Sequence, residues 1–191
     1  MKIRTSCPTL LHELERAGRR ARDGASVPLL RAAGLIDLLD VREAPPWGFD
    51  YVSAGDAFYQ TEPYPDGTTA LIVPAIENLS LVDLVAISLE TGAVRTRYGI
   101  AEYVGHNVLR DCEWDREPLA VFEDAVSWLR AGGNGVWLFD WTHVHHHLHS
   151  LPQLVCQTAS LARRIKQAFE QAIPCPPLLV SSDTQEISHA A

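Results

Sequence analysis

The last third of the chain alternates helical and strand-like patterns, and this rhythm constrains the fold more than any other feature. Residues 118–130 carry apolar side chains at helical spacing before a Gly-Gly pair, which predicts a helix. The apolar run 135–141 predicts a buried strand, and a short strand at 153–157 and a helix at 159–172 follow. Alternating strands and helices are typical of parallel strand pairing through crossover connections. The pattern therefore predicts βα units at the C-terminal end.

The middle of the chain has the pattern of an antiparallel meander. Residues 69–75 and 82–89 are apolar runs that favour strands. A turn at 90–92 leads into residues 94–98, where side chains alternate between apolar and charged types, which predicts one buried and one solvated face. Residues 44–67 are rich in proline, glycine and aromatic residues, which indicates extended segments joined by turns.

The N-terminal part is helical in pattern, with predicted helices over 9–23 and 28–39. We therefore expect an α/β or α+β fold: a single domain with a mixed sheet, a central antiparallel meander and C-terminal βα units. Within it we expect an N-terminal helical segment over 1–40, a mixed α/β domain over 41–182 and a flexible tail over 183–191.

The charge balance excludes some classes of partner. The 191 residues include 16 Lys and Arg against 24 Asp and Glu, a formal net charge of −8. Such a surface repels phosphate groups, so we expect a protein partner and neither nucleic acid nor a membrane. Basic residues do cluster at 16–22 and 163–166, but acidic residues interrupt or flank both clusters, as on a solvated helix face.

The cysteines and the hydropathy pattern favour the cytoplasm. The four cysteines show no CxxC spacing, so the sequence predicts neither a local zinc knuckle nor a redox pair: Cys7, Cys112, Cys156 and Cys175. The N-terminus has no apolar core of a signal peptide, and no stretch reaches the roughly 20 apolar residues of a membrane helix. We expect a reducing, cytoplasmic setting.

The segment GVWLFDWTHVHHHLHS places Asp140 at the end of the predicted strand, followed by five histidines in seven residues. Ligands often bind at the carboxyl ends of parallel strands, and histidine is both a proton carrier and the commonest metal ligand. His143 and His147 have helical i, i+4 spacing, so Asp140, His143 and His147 are the candidate metal ligands. Zinc usually takes three or four protein ligands. A further carboxylate would have to come from Glu77, Asp83 or Asp56.

The competing interpretation is a His-rich surface turn, in which Val144, Leu148 and Leu151 pack inward and the imidazoles face water. No phosphate-binding loop, nucleophile elbow or reactive cysteine context accompanies the histidines. The catalytic residues, if there are any, are therefore unknown, and we predict no cofactor, with a divalent metal such as zinc as the alternative.

Two longer stretches carry a family resemblance. PLAVFEDAVSWLRAGGNGVWLFDW and the earlier VDLVAISLETGAVRTRYG resemble segments of uncharacterised small proteins from proteobacterial genomes, prophages and integrated elements. The resemblance implies a genomic setting and no activity.

Two functions remain open at this point. The first is a non-catalytic accessory or interaction protein, because no complete catalytic or cofactor motif is present in a chain that is able to fold. The second is a small metal-dependent hydrolase or nuclease that uses Asp140, His143 and His147.

Overall fold

The computed structural model describes residues 4–5, 7–23, 27–41, 45–55, 58–62 and 67–172. These residues form an α+β fold with two β-sheets and several helices. The predicted meander lies in the first sheet and the predicted βα units in the second, so the fold class is confirmed.

The first sheet has six strands: β1 (Arg4–Thr5), β2 (Gly48–Ala54), β3 (Tyr59–Thr61), β4 (Thr68–Glu77), β5 (Ser80–Ser88) and β6 (Val94–Thr96). Their order is β1-β5-β4-β2-β3, with β6 also paired to β5, and every pair except β1 with β5 is antiparallel. An isolated bridge joins Phe58, just before β3, to Thr96 of β6. The sheet therefore curls until its two edges meet.

The second sheet has four strands: β7 (Tyr103–Val104), β8 (Leu119–Phe122), β9 (Val136–Leu138) and β10 (Leu154–Cys156). The order is β10-β8-β9-β7, in which the first three strands are parallel and β7 is antiparallel to β9. Each parallel strand of this sheet is followed by a helix, which makes three βα units: α4 (Ala125–Arg130) follows β8, α5 (Val144–Leu148) follows β9 and α6 (Ala159–Gln171) follows β10.

Three further helices and a short 3₁₀ helix complete the fold: α1 (Pro8–Arg22), α2 (Val27–Ala32), α3 (His106–Asp115) and the 3₁₀ helix Ile36–Asp40. The prediction of one helix over 28–39 is wrong. Gly34 has a φ of +66°, a left-handed conformation that ends α2 before the 3₁₀ turn begins.

The prediction of a helix over 118–130 is also wrong in its first half, because residues 119–122 form the strand β8. Leu119 and Val121 are buried, and β8 pairs with β10 on one side and β9 on the other. A run this short satisfies strand and helix periodicity equally. The helix begins only after Asp124, whose side chain accepts a hydrogen bond from the Ser127 backbone N–H at 2.8 Å.

The core has three parts. Leu10 and Leu14 of α1 pack on Ile72 and Leu84 of the first sheet. A second cluster lies between the second sheet and the helices α3, α5 and α6. The third contains side chains from both sheets, among them Val73 and Trp137, together with leucines of the 27–40 region. Because side chains from both sheets are buried in this one cluster, the two sheets pack against each other. The predicted tail over 183–191 lies outside the described residues.

Candidate functional site

Glu102 organises the histidine segment. Its carboxylate binds two imidazoles: Oε1 lies 2.8 Å from His143 Nδ1, and Oε2 lies 2.6 Å from His147 Nε2. Its backbone carbonyl also accepts hydrogen bonds from the N–H groups of Phe139 and Asp140, at 3.3 and 3.0 Å. Glu102, which directly precedes β7, is therefore hydrogen-bonded to the residues that follow β9 and to the histidines in and before helix α5.

Asp140 is held differently from the two histidines. Its Oδ1 accepts a hydrogen bond from the Thr142 backbone N–H at 2.9 Å, which closes a turn after β9. His143 precedes α5 and is exposed, whereas His147 lies within α5 and is half-buried. The structure thus brings His143 and His147 together on one carboxylate, and that carboxylate belongs to Glu102.

Both carboxyl groups have a lowered pKa. For Glu102, burial acts to raise the pKa, but the hydrogen bonds from His147 and His143 outweigh it. For Asp140, the backbone hydrogen bond from Thr142 is the largest cause of the lowered pKa. Both groups are therefore ionised at neutral pH.

Tyr103 and His106 form a second pair beside this cluster. The Tyr103 hydroxyl lies 2.8 Å from His106 Nε2, the two rings stack with centroids 4.3 Å apart, and the His147 ring lies 4.7 Å from Tyr103. Burial is the largest cause of the raised pKa of Tyr103 and of the lowered pKa of His106. Glu77 Oε1 is 3.8 Å from His106 Nε2.

The predicted metal site at Asp140, His143 and His147 stays a prediction. Within the part of the chain that the structure describes, no three His, Cys, Asp or Glu side chains are grouped to hold a metal ion. Of the further ligands considered, Glu77 neighbours His106, Asp83 is buried under a loop, and Asp56 lies outside the described residues.

Asp83 fixes the loop of residues 97–101. It lies on β5 and is 0% exposed. Its Oδ1 accepts hydrogen bonds from the backbone N–H groups of Leu84, Arg97 and Tyr98, and its Oδ2 accepts from those of Ile100 and Ala101, all between 2.8 and 3.2 Å. Because one buried carboxylate binds four N–H groups of the loop, the backbone has little freedom to rearrange.

Two side chains of this loop are exposed. Tyr98 is 42% exposed and Ile100 is 62% exposed. Phe58, 51% exposed, packs against Gly99, which has a φ of +72° and no room for a Cβ. We call Phe58, Tyr98 and Ile100 the apolar rim.

A pocket of about 390 Å³ opens between the two sheets beside the apolar rim. Its first-sheet side includes Phe58 and Arg95, and its second-sheet side includes Glu102, Asp140 and Trp141. The pocket therefore adjoins both the histidine segment and the rim.

The basic clusters of the sequence have partners within the fold. Arg16 donates to Asp50 Oδ2 at 2.9 and 2.6 Å, and Arg20 forms an ion pair with Asp50 Oδ1. In α6, the Arg164 guanidinium lies over the Trp141 ring, 3.8 Å from its centroid, and Lys166 pairs with Glu170.

Comparison with known proteins found no matching family model, no matching curated protein and no matching solved structure. None of the helices among the described residues is long and apolar enough to cross a membrane.

Sequence reasoning did not name Glu102, and it considered Asp83 only as a possible metal ligand, not as the residue that holds a loop. Glu102 lies 41 positions before His143, and Asp83 lies 17 positions before Ile100. No spacing rule connects such pairs. A charged residue within an apolar strand, as Asp83 is in VDLVAISL, is the one local signal that could have drawn attention to it.

Proposed function

We propose that this chain is a non-catalytic binding protein, and that a partner protein docks on the apolar rim. The observation that carries the proposal is the exposure of Phe58, Tyr98 and Ile100 around a backbone fixed by Asp83. Exposed apolar patches on a protein surface mark interaction sites. Here Phe58 packs against Gly99, which lies between Tyr98 and Ile100 in the chain.

The fixed backbone of this loop favours binding, because the ordering of a flexible loop costs conformational entropy. A flexible loop loses conformational freedom when it docks, whereas a loop that is already ordered loses much less. Aromatic side chains such as Phe58 and Tyr98 also contribute large contact area with few rotatable bonds. The rim therefore has the properties of a preorganised contact surface.

The proposed setting is the cytoplasm, with a protein and not a nucleic acid as the partner. The net charge of −8 supports this choice, and so does the pairing of Arg16 and Arg20 with Asp50. The resemblance of the sequence to proteins of prophages and integrated elements supports placing the gene on such an element.

The test compares wild type with Ile100→Asp and with Trp114→Asp as a control. Trp114 on α3 is 86% exposed, so both changes add a charge at an exposed apolar position. A partner is first captured from cells that express the chain, then purified, and its Kd is measured by calorimetry. We expect Ile100→Asp to weaken binding at least tenfold and Trp114→Asp to leave it within twofold. Equal binding by all three proteins would refute the assignment of the rim.

A second candidate is a small metal-dependent hydrolase or nuclease. The observation that favours it is the approach of His143 and His147 to one carboxylate, that of Glu102. The test is elemental analysis of untagged protein purified without a chelating column. About one equivalent of zinc, manganese or iron, lost in His143→Ala, would support this candidate; absence of bound metal would oppose it.

A further inference from the structure

The pocket beside the apolar rim has walls suited to a planar cation. Phe58, Phe139 and Trp141 contribute aromatic side chains to its lining. Aromatic ring faces attract cations, and arginine adds planar stacking to this attraction. Trp141 already stacks with one guanidinium in this protein, that of Arg164, which lies in a neighbouring depression.

The charges in the lining favour a cation as well. The described lining residues include the carboxylates of Asp140 and Glu102, and Arg95 is the one Lys or Arg among them. The Arg95 guanidinium donates from Nε to the Gly55 carbonyl at 3.2 Å and from Nη1 to the Val94 carbonyl at 2.8 Å, so it is directed toward the backbone. The lining therefore has a net negative charge.

The two carboxylates retain capacity to accept hydrogen bonds. An ionised carboxylate has about four lone-pair sites. The histidines occupy one site on each Glu102 oxygen, and Thr142 hydrogen-bonds to Asp140 through its backbone N–H and its side chain. A guanidinium has five N–H donors in a plane, which suits it to two neighbouring carboxylates better than a compact ammonium.

We propose that this pocket binds a guanidinium group, supplied by an arginine side chain of the partner protein. The inference rests on the proposed docking function and names the chemistry of its central contact. The volume of about 390 Å³ falls within the range of roughly 300–1,000 Å³ typical of ligand pockets. A partner that also covers the adjoining apolar rim would help to exclude water from this charge contact.

The experiment titrates the full-length protein with acetyl-Gly-Arg-Gly-amide and follows backbone amide shifts by NMR. The control ligand replaces arginine by citrulline, which has nearly the same shape and no charge. We expect saturable shifts at Glu102, Asp140 and Trp141 with a millimolar Kd, and at least fivefold weaker binding of the citrulline peptide. Equal binding of the two peptides, or no saturable shifts up to roughly 20 mM peptide, well above the expected millimolar Kd, would overturn the proposal.

Two protein variants locate the contact. Asp140→Asn should weaken arginine-peptide binding at least fivefold, while Asp111→Asn, which alters an exposed carboxylate on α3, should leave it within twofold. The citrulline comparison uses wild-type protein, so it decides the matter even if Asp140→Asn folds poorly. Equal affinity of both variants for the arginine peptide would mean that the peptide binds elsewhere and would refute the pocket as its binding site.

A third ligand, agmatine, separates a protein side chain from a free small molecule. Agmatine binding that is ten times tighter than peptide binding would overturn the assignment to a partner. The two proposals also fail separately. If Ile100→Asp weakens partner binding but wild type does not bind the arginine peptide, only the guanidinium pocket is refuted. If wild type binds the arginine peptide but no partner is found whose binding Ile100→Asp weakens, only the docking function is refuted.

Discussion

The Asp83 carboxylate accepts a hydrogen bond from the Ile100 backbone N–H at 2.8 Å, so the most buried acidic side chain among the described residues holds the most exposed residue of the apolar rim. The same carboxylate binds the N–H groups of Arg97, Tyr98 and Ala101. The outward position of Ile100 is therefore a consequence of an interaction inside the protein.

Replacing Asp83 should destabilise the whole fold. Asp83→Ala leaves five backbone N–H groups without their acceptor, and each buried unsatisfied donor costs about 1–3 kcal/mol, less where water reaches it. We expect the free energy of unfolding in urea to fall by about 3 kcal/mol. The control Asp124→Ala removes one helix cap and should cost about 1 kcal/mol. Similar losses in the two variants would contradict the central role of Asp83.

Gly99 should be required for the position of Phe58. Gly99→Ala adds a methyl group that meets the Phe58 ring, and it also places alanine at a φ of +72°. Gly92→Ala is the matched control, because Gly92 has a φ of +70° and nothing within 4 Å of an added Cβ. We expect both variants to lose about 1 kcal/mol from the backbone conformation alone and Gly99→Ala to lose more. Identical urea midpoints would show that Phe58 does not pack as described.

The Glu102 carboxylate should contribute stability that acid removes. Its pKa in the folded protein is lowered from the ordinary value of 4.5, so the unfolded chain binds more protons near that pH. The contribution is therefore fully present above about pH 4.5 and is lost as the pH falls through the lower pKa of the folded state.

The measurement compares urea unfolding of wild type and Glu102→Gln between roughly pH 5.5 and 3, a range that brackets the ordinary pKa of 4.5. We expect the stability difference between the two proteins to shrink toward the acid end. Glu90→Gln, at an exposed turn, serves as the control and should show no such trend. A difference that grows on acidification would contradict the assigned direction of the pKa shift.

Asp50 should matter more to stability than a surface ion pair of similar geometry. Asp50 is 2% exposed and binds both Arg16 and Arg20, so Asp50→Ala leaves two guanidinium groups without their acceptor. We expect a loss of about 2 kcal/mol, because the arginines are one-third exposed and can be hydrated. The control is Asp37→Ala, which breaks an exposed pair with Arg130 and should change the urea midpoint far less. Equal shifts would mean that burial does not strengthen the Asp50 pairs.

The local elements with strong signals were predictable from sequence. Helix α6 begins after Thr158, whose hydroxyl caps the Leu161 N–H, and its apolar stripe is the one expected from i, i+3 and i+4 spacing. The strands β4 and β5 followed from their apolar runs. Prediction was wrong for β8, since a four-residue strand is too short for its periodicity to differ from that of a helix.

The sequence by itself predicted a mixed α/β or α+β fold, the meander and the βα units, and it placed the histidines directly after a strand. Only the tertiary structure decided that Glu102 binds His143 and His147, that Asp83 holds the loop of residues 97–101, and that Phe58 meets Gly99. The physical reason is that helix and strand signals arise from neighbours along the chain. These contacts instead depend on how the strands pair and on how the two sheets pack, which no local periodicity encodes.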